Sequence, residues 1–228
     1  LIRYTTSHPY DVSDELIAAH GSLQKLSKHL HLPVQSGSNS VLERMLREYS
    51  VEHYFNLLAK LRRAQPEIVL TTDIIVGFVN ETEQEFQDTL NLLDLAQFDF
   101  SYSYVYSQRN HTRSAKMVDT LPAAIKSERL RYLQKYQLDI QQRLRQSLVG
   151  KRFVMLVEGH GNMGGTKKWR GRTSCNRIVH FLPEIVCADY QWHWVEVQVT
   201  SATALSCQGK ILRDYGRRPP HLVGDLVD

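Results

Sequence analysis

The sequence predicts an α/β region followed by an all-β region, and three observations support this fold class. Up to about residue 118, strand patterns alternate with helix patterns, as in parallel α/β folds. From Pro122 an amphipathic stretch runs to Gly150, after which short strand patterns are separated by turns rich in Gly or Pro. We therefore assign a partial (β/α) barrel to residues 1–118, a connecting helix to 119–149, a small five-stranded barrel of the oligonucleotide-binding kind to 150–213, and a tail to 214–228.

Four strand patterns occur in the first region. The third is almost continuously apolar, as a strand buried on both faces should be. Four parallel strands are too few to close an eight-stranded barrel, so the sheet is either open or begins partway through a larger barrel. The start at Leu1, next to the first pattern, favours the second alternative. The predicted strands cover residues 2–5, 29–34, 68–78 and 98–106.

Helix starts in the first region are marked by capping residues. Ser13 and Ser50 are candidate N-caps, and Thr82 with Glu85 forms a capping box. The predicted helices run from Ser13 to about residue 26 and over 41–48, 51–64 and 83–96. The later strand patterns cover 153–158, 169–173, 177–181, 194–200 and 203–212.

The fourth strand of the first region alternates strictly between two kinds of side chain. One face carries aromatic residues such as Tyr102 and Tyr104, and the other carries small or polar residues such as Ser101 and Ser103. We expect the aromatic face to pack under helices and the small, polar face to point inward.

Composition places the basic charge in the second region. Residues 150–213 hold nine Lys or Arg against four acids, a net charge of +5, whereas residues 1–149 hold seventeen of each sign. A polyanion would bind there, although a solvated basic surface is consistent with the same charge. No apolar run is long enough to span a bilayer and no signal pattern opens the chain, so we expect a cytoplasmic protein without membrane partners. The three cysteines, Cys175, Cys187 and Cys207, lack the spacing of a disulfide framework or metal site.

Ligands of parallel α/β folds bind at the carboxyl ends of strands, and small or polar residues follow all four predicted strands. Together they would form one polar rim for a ribose, a carboxylate or a phosphate. Asp73 lies within an apolar strand, where an unpaired acid is costly, which favours a functional role. His29 and His31 could face one side together, but a third metal ligand is missing. The rim residues are 7–9, 35–38, Gly77, Phe78, Glu81, Ser107 and Arg109.

Two parts of this rim have simpler structural explanations. Residues 36–38 form a helix-capping turn as readily as a ligand contact, and Glu81 is also explained as a charge in the first turn of a helix.

Five segments resemble, in order, the motifs of methylthiotransferases of the tRNA 2-methylthioadenosine synthase type. Five segments in the same order are unlike a chance match, and the similarity extends to about Leu212. The segments are HLPVQSGS (31–38), TTDIIVGF with ET (71–78 and 81–82), YSxR (106–109), KSERL (126–130) and GRTSCNRIVHF (171–181).

The resemblance implies half of a radical S-adenosylmethionine barrel followed by a TRAM domain, a small β-barrel that binds RNA. The family adds a methylthio group to C2 of N6-isopentenyladenosine beside the tRNA anticodon, using S-adenosylmethionine and two four-iron four-sulfur clusters. Its partners would be the anticodon stem-loop and, in addition, sulfur or electron donor proteins. The implied cofactor contacts are Gln35, Ser36, Asp73, Gly77 and Arg109, and the implied RNA contacts are Arg170, Arg172, Asn176 and Arg177.

The chain departs from the family pattern in three places. The family's cluster-binding cysteines are not in this sequence, so we expect both clusters in the full-length protein, none on this chain, and an inactive fragment. The usual GFPGET reads here with Val79 and Asn80, and Asn tolerates the positive φ that this turn requires. The usual RPGTP is replaced at Asn110, His111 and Arg113, which adds bulk and charge near the cofactor rim.

Three rival hypotheses remain from sequence. One is a non-catalytic RNA-binding protein with a degenerate barrel. A second is a member of the same family that acts on another tRNA base or on a ribosomal protein. A third is a hydrolase-like α/β enzyme using His8 or His31 with Asp73, but a nucleophile elbow is missing.

Overall fold

The computed structural model describes residues 1–5, 8–108, 113–182 and 189–219. The chain divides into two compact units. The α/β unit comprises Tyr4–Leu23 and Leu30–Ile140, and the β unit comprises Leu1–Arg3, Gln24–His29 and Gln141–Asp228.

The described residues form five α-helices and eight β-strands. The helices are α1 (Asp14–Ser22), α2 (Asn39–Arg44), α3 (Val51–Ala64), α4 (Glu83–Ala96) and α5 (Ala123–Gln146). The strands are β1 (His29–His31), β2 (Val69–Val76), β3 (Phe100–Val105), β4 (Arg152–Met163), β5 (Thr166–Thr173), β6 (Ile178–Phe181), β7 (Trp194–Ala202) and β8 (Cys207–Asp214). Among the helices so described, none combines the length and apolarity that crossing a bilayer requires.

The predicted helix caps are confirmed. The Ser13 hydroxyl accepts from the Leu16 amide at the start of α1, and the Ser50 hydroxyl accepts from the His53 amide at the start of α3. At α4 the capping box is complete, because Thr82 and Glu85 each accept from the other's backbone amide. Side-chain oxygens thus satisfy the amides that a first helical turn leaves unpaired.

The α/β unit is built on a parallel sheet in the order β1-β2-β3. The strand expected at residues 2–5 is wrong, because Ile2 forms only a single bridge with Leu26. The first full strand is also shorter than expected. It ends at His31 because Pro33 has no amide to donate to a ladder, and Gln35 then turns the chain with a φ of 72°.

The predicted orientation of β3 is wrong. Ser101 pairs in register with Thr72 of β2. The Thr72 hydroxyl and the Tyr54 hydroxyl of α3 both donate to the Leu32 carbonyl. The face of the sheet that carries Ser101 and Thr72 therefore lies under the helices. Tyr102 pairs with Asp73 on the opposite face and is 50% exposed. Small serine side chains allow helices to approach the sheet closely, which large aromatic rings would prevent.

The β unit contains a closed five-stranded barrel in the order β4-β5-β6-β8-β7. Neighbouring strands are antiparallel except β6 and β8, which are parallel. The register of β4 and β5 shifts between Val157 and Gly159, which leaves Glu158 as the extra residue of a bulge, and Gly159 follows with a φ of 142°. The predicted number of strands in this region is confirmed. Buried apolar side chains fill the core, including Phe153, Met155, Val157, Trp169, Phe181, Val195 and Val197.

Candidate functional site

Gln35 and Gly77 follow β1 and β2 at the carboxyl-terminal edge of the sheet. The Gln35 amide donates to the Asp73 carbonyl (2.9 Å), and the Ile75 amide donates to the Gln35 carbonyl (2.8 Å). These bonds extend the pairing with β2 beyond the end of β1. The two predicted rim residues Gln35 and Gly77 therefore lie at one edge of the sheet.

The loop from Gly77 to Glu81 is held by a buried carboxylate. Gly77 has a φ of 66°, and its amide donates to Glu81 Oε2 at 2.9 Å. Arg129 of α5 donates to the same Oε2 and to the Glu81 carbonyl, both at 2.8 Å, and also pairs with Glu83 at 2.9 Å. Burial raises the pKa of the Glu81 carboxyl, while the bonds from Gly77 and Arg129 oppose that shift. Glu81 therefore holds the backbone of Gly77, one of the predicted rim residues, through a buried hydrogen bond.

The same loop is tied to the segment that precedes α5. Asn80 has the left-handed φ expected from the sequence, at 54°. Its side-chain amide donates to the Val118 carbonyl (2.8 Å) and its oxygen accepts from the Thr120 amide (2.9 Å). The Lys126 ammonium pairs with Asp119, which also accepts from the Asn80 amide.

The turn at residues 36–38 packs against α4. The Ser36 hydroxyl is fully buried and lies 3.3 Å from the Thr89 hydroxyl, which also accepts from the Gly37 amide. A Cβ on Gly37 would lie 2.4 Å from the Asp88 carbonyl oxygen, so only glycine fits here. The structure thus gives this turn a packing role, and the ligand contact expected of Ser36 stays a prediction.

His31, Thr71 and Asp73 form a hydrogen-bonded group on the face of the sheet that the helices leave open. His31 Nδ1 lies 3.0 Å from the Thr71 hydroxyl, and Nε2 lies 3.3 Å from Asp73 Oδ1. The tautomer protonated at Nε2 satisfies both contacts, because Nε2–H donates to the carboxylate and Nδ1 accepts from the hydroxyl. Tyr102 packs edge-on against His31, with ring centroids 5.8 Å apart. Asp73 is thereby paired, as its place in an apolar strand requires.

This group was only partly visible in the sequence. Asp73 was identified by its burial cost, and His31 was considered as a metal ligand and, with Asp73, as part of a hydrolase-like site, but not as the group that orients Asp73. The signal that joins them is the parallel register of β1 and β2, which brings the first residue of HLPVQSGS beside TTD.

On the β unit, Lys168 and Arg170 project from β5 beside His180 of β6. Arg170 pairs in register with His180, and the Lys168 ammonium donates to the Gln208 side chain (2.9 Å). Burial and then the charges of Arg170 and Lys168 lower the pKa of His180. Within the described part of the chain, Arg170 has no acidic partner, and its Nε is buried without an acceptor. Its charge is therefore uncompensated there.

Arg172 lies two residues further along β5 in a different environment. Its Nε pairs with Glu158 at 3.1 Å, and its Nη1 donates to the Asn176 side-chain oxygen, also at 3.1 Å. Asn176 takes a left-handed φ of 69°, and its amide closes the turn by donating to the Thr173 carbonyl. Arg172 and Asn176 thus organise the turn between β5 and β6.

The same turn contacts the short segments of the β unit that come from the start of the chain. Arg3 donates to the Thr173 carbonyl at 3.1 Å, and the Ser27 hydroxyl donates to the Ser174 carbonyl at 2.6 Å. The Arg177 amide donates to the Thr173 hydroxyl at 3.2 Å. The motif therefore has a structural role besides the RNA contacts expected of it.

Some expectations fall outside the described residues. Arg109, Asn110 and His111 belong to this group, as does Cys187, while Cys175 and Cys207 are buried. Across the described ranges, no group of three potential ligands could hold a metal ion.

Comparison with known proteins agrees with the parallel sheet and the motifs. Residues 2–93 match the sequence model of the Radical SAM superfamily. Over 93% of its length it is 42% identical to the tRNA-2-methylthio-N(6)-dimethylallyladenosine synthase of Acetivibrio thermocellus, of which it covers 43%. Synthases of the same name from Acidithiobacillus ferrooxidans and Myxococcus xanthus are 41% and 43% identical over 92% of the chain.

The resemblance inferred from the five segments is confirmed by these matches. The chain spans less than half the length of the curated relatives that it matches.

Proposed function

We propose that this chain is part of a tRNA methylthiotransferase that adds a methylthio group to C2 of N6-isopentenyladenosine beside the anticodon. The main support is the similarity to tRNA-2-methylthio-N(6)-dimethylallyladenosine synthases along 93% of the chain. This length includes both the rim segments and the GRTSCNR turn. Gln35 and Gly77 lie at the carboxyl-terminal edge of the sheet, and Asp73 lies within β2 beside His31 of β1, which is consistent with a cofactor site at this part of the sheet.

S-adenosylmethionine is the cofactor we assign to this rim, and the residues present fit it. Gly77 lies at the carboxyl-terminal edge of the sheet with the Lys126 stem packed against it, and the Asp73 carboxylate is oriented by His31, so it can accept hydrogen bonds from amino or hydroxyl groups. Gln35 adds a side-chain amide at the same edge. When bound, S-adenosylmethionine supplies the methyl group and, with an electron from an iron-sulfur cluster, the means to abstract hydrogen from the base.

Two four-iron four-sulfur clusters belong to the proposed full-length protein, with ligands from cysteines that this sequence does not contain. We therefore expect the 228-residue chain to be inactive by itself.

The β unit is our candidate for the RNA-binding surface, as a TRAM domain. Its five-stranded closed order fits the oligonucleotide-binding fold, in which the second and third strands carry much of the nucleic-acid surface. Those strands are β5 and β6, which place Lys168 and Arg170 together without an acidic partner in the described part of the chain. An uncompensated cation gains more from a phosphate than a cation already paired within the protein.

Product formation tests the whole proposal. The full-length protein carrying this chain, with reconstituted clusters, is incubated with S-adenosylmethionine, a reductant and tRNA bearing N6-isopentenyladenosine. We expect the 2-methylthio nucleoside in the digested tRNA by mass spectrometry, and Asp73→Asn should lower its yield at least tenfold. If wild type binds this tRNA but makes no product, the proposed activity is wrong, and either a non-catalytic RNA-binding protein or a family member with another substrate explains the result.

A further inference from the structure

Two cations of α5 hold the Gly77–Glu81 loop, although the superfamily match ends at residue 93. We propose that Lys126 and Arg129 are positioning residues for the cofactor rim and act through Glu81 and Gly77. The proposal rests on the proposed function in one respect, namely that this loop contacts S-adenosylmethionine. Both residues belong to the KSERL segment, and their spacing of three places them on one face of the helix.

Arg129 acts on the loop through a buried ion pair. Arg129 and Glu81 are 7% and 2% exposed, and the guanidinium reaches the Glu81 carboxylate, the Glu81 carbonyl and Glu83. Glu81 Oε2 in turn accepts the Gly77 amide. Removing Arg129 would leave a buried carboxylate without its counter-charge, so the carboxylate would protonate or move towards water. Either change weakens the bond that orients the Gly77 peptide.

Lys126 acts through its hydrocarbon stem as well as its charge. A Cβ on Gly77 would lie 2.6 Å from Lys126 Cγ, so the stem packs directly over the glycine. The ammonium is held by Asp119, which also accepts the Asn80 amide. Lys126 therefore contacts the loop at Gly77 through its stem, and its partner Asp119 holds the loop at Asn80.

Hydrogen exchange of the Gly77 amide in the 228-residue chain tests the positioning role without any cofactor. Arg129→Ala should speed this exchange at least tenfold relative to Ile74, whose amide lies inside β2. Lys126→Met keeps the stem and loses the charge, so we expect only a two- to threefold change. Arg131→Ala is the matched control, because Arg131 is exposed on the same helix. Gly77 exchange within twofold of wild type in Arg129→Ala would overturn the proposal.

Arg129→Lys gives the test if Arg129→Ala does not fold. Lysine keeps the charge but cannot reach all the acceptors that Arg129 bonds, so Gly77 exchange should still rise at least threefold. An unchanged rate in that variant would overturn the proposal equally.

Calorimetric titration with S-adenosylhomocysteine separates this proposal from the proposed function. We expect Arg129→Ala to bind it at least fivefold more weakly than wild type, and Arg131→Ala to bind it equally well. If wild type does not bind while Gly77 exchange still responds to Arg129, the positioning role stands and the cofactor assignment fails. Equal binding by wild type and Arg129→Ala would overturn the link between Arg129 and the cofactor.

Discussion

The cations of the two units differ in how their charge is compensated. In the α/β unit, Arg44, Lys126 and Arg129 each contact an acidic side chain and are partly or almost wholly buried. On β5 of the β unit, Lys168 and Arg170 lack such partners among the described residues. A count of Lys and Arg does not separate these cases, because a cation paired with an acid and an unpaired cation are each counted once. The partners of each cation indicate whether it is available to bind a polyanion.

The same distinction holds within one strand. Arg170 and Arg172 are two residues apart on β5, and only Arg172 pairs with Glu158. Since alternate residues of a strand face the same side, the two guanidinium groups differ by their partners and not by the face they occupy.

The largest effect is expected where a paired cation is removed from the α/β unit. Arg44 donates two hydrogen bonds to Glu85 (2.7 and 3.0 Å), and these bonds are the main reason that the Glu85 pKa falls to about 2. Arg44→Met should lower the free energy of unfolding by about 2 kcal/mol at pH 7. Urea unfolding of the chain measures this loss.

The pH dependence of that loss follows from the sign of the shift. A lowered carboxyl pKa stabilises the fold above the ordinary value of 4.5, and the stabilisation disappears as the pH falls towards 2. The difference between wild type and Arg44→Met should therefore shrink at pH 3. An equal difference at pH 7 and pH 3 would show that lost packing, and not the ion pair, explains the effect.

Arg170→Ala and Arg172→Ala should separate binding from stability. Arg170→Ala should weaken binding of an anticodon stem-loop by about 1 kcal/mol at low salt and reduce the slope of log affinity against log salt by about 1. Arg172→Ala should leave that slope unchanged but lower the free energy of unfolding by about 1 kcal/mol, because Glu158 and Asn176 lose a partner. Titrations at several salt concentrations, with unfolding curves for both variants, measure the two effects. If Arg172→Ala reduces the salt slope and Arg170→Ala lowers only the free energy of unfolding, Arg172 and not Arg170 contacts the RNA.

The smallest effect is expected for an exposed pair. Lys60 and Asp14 lie 2.8 Å apart, but their side chains are 42% and 79% exposed. Lys60→Ala should change the free energy of unfolding by less than about 0.5 kcal/mol, since water screens the pair. A loss of unfolding free energy as large as that of Arg44→Met would mean that pairing of opposite charges stabilises this protein even where the pair is exposed.

Local signals in the sequence predicted most of the fold. The caps at Ser13, Ser50 and Thr82 act within four residues, and α3 has the predicted bounds. The face of β3 was predicted wrongly because alternation shows that two faces differ but not which one meets the helices. That choice depends on packing with α3, which is distant in the chain.

The candidate site was less accessible from sequence for a related reason. Glu81 and Arg129 are 48 residues apart, and Arg172 meets Glu158 only because β4 and β5 pair. Neither contact leaves a periodic pattern. The KSERL segment held a usable signal, since Lys126 and Arg129 share a helix face, but their partners were visible only in the structure.

The helix α5 also determines how this chain can be cut. Its residues Ala123–Gln146 are continuous, and the last of the four points at which the chain passes between the two units falls between Ile140 and Gln141, inside the helix. Proteases need an extended segment of backbone, which a hydrogen-bonded helix provides only after local unfolding. Cleavage within α5 would therefore report the opening of the helix itself, and the rate of that cleavage would follow the local stability of a helix and not the mobility of a linker.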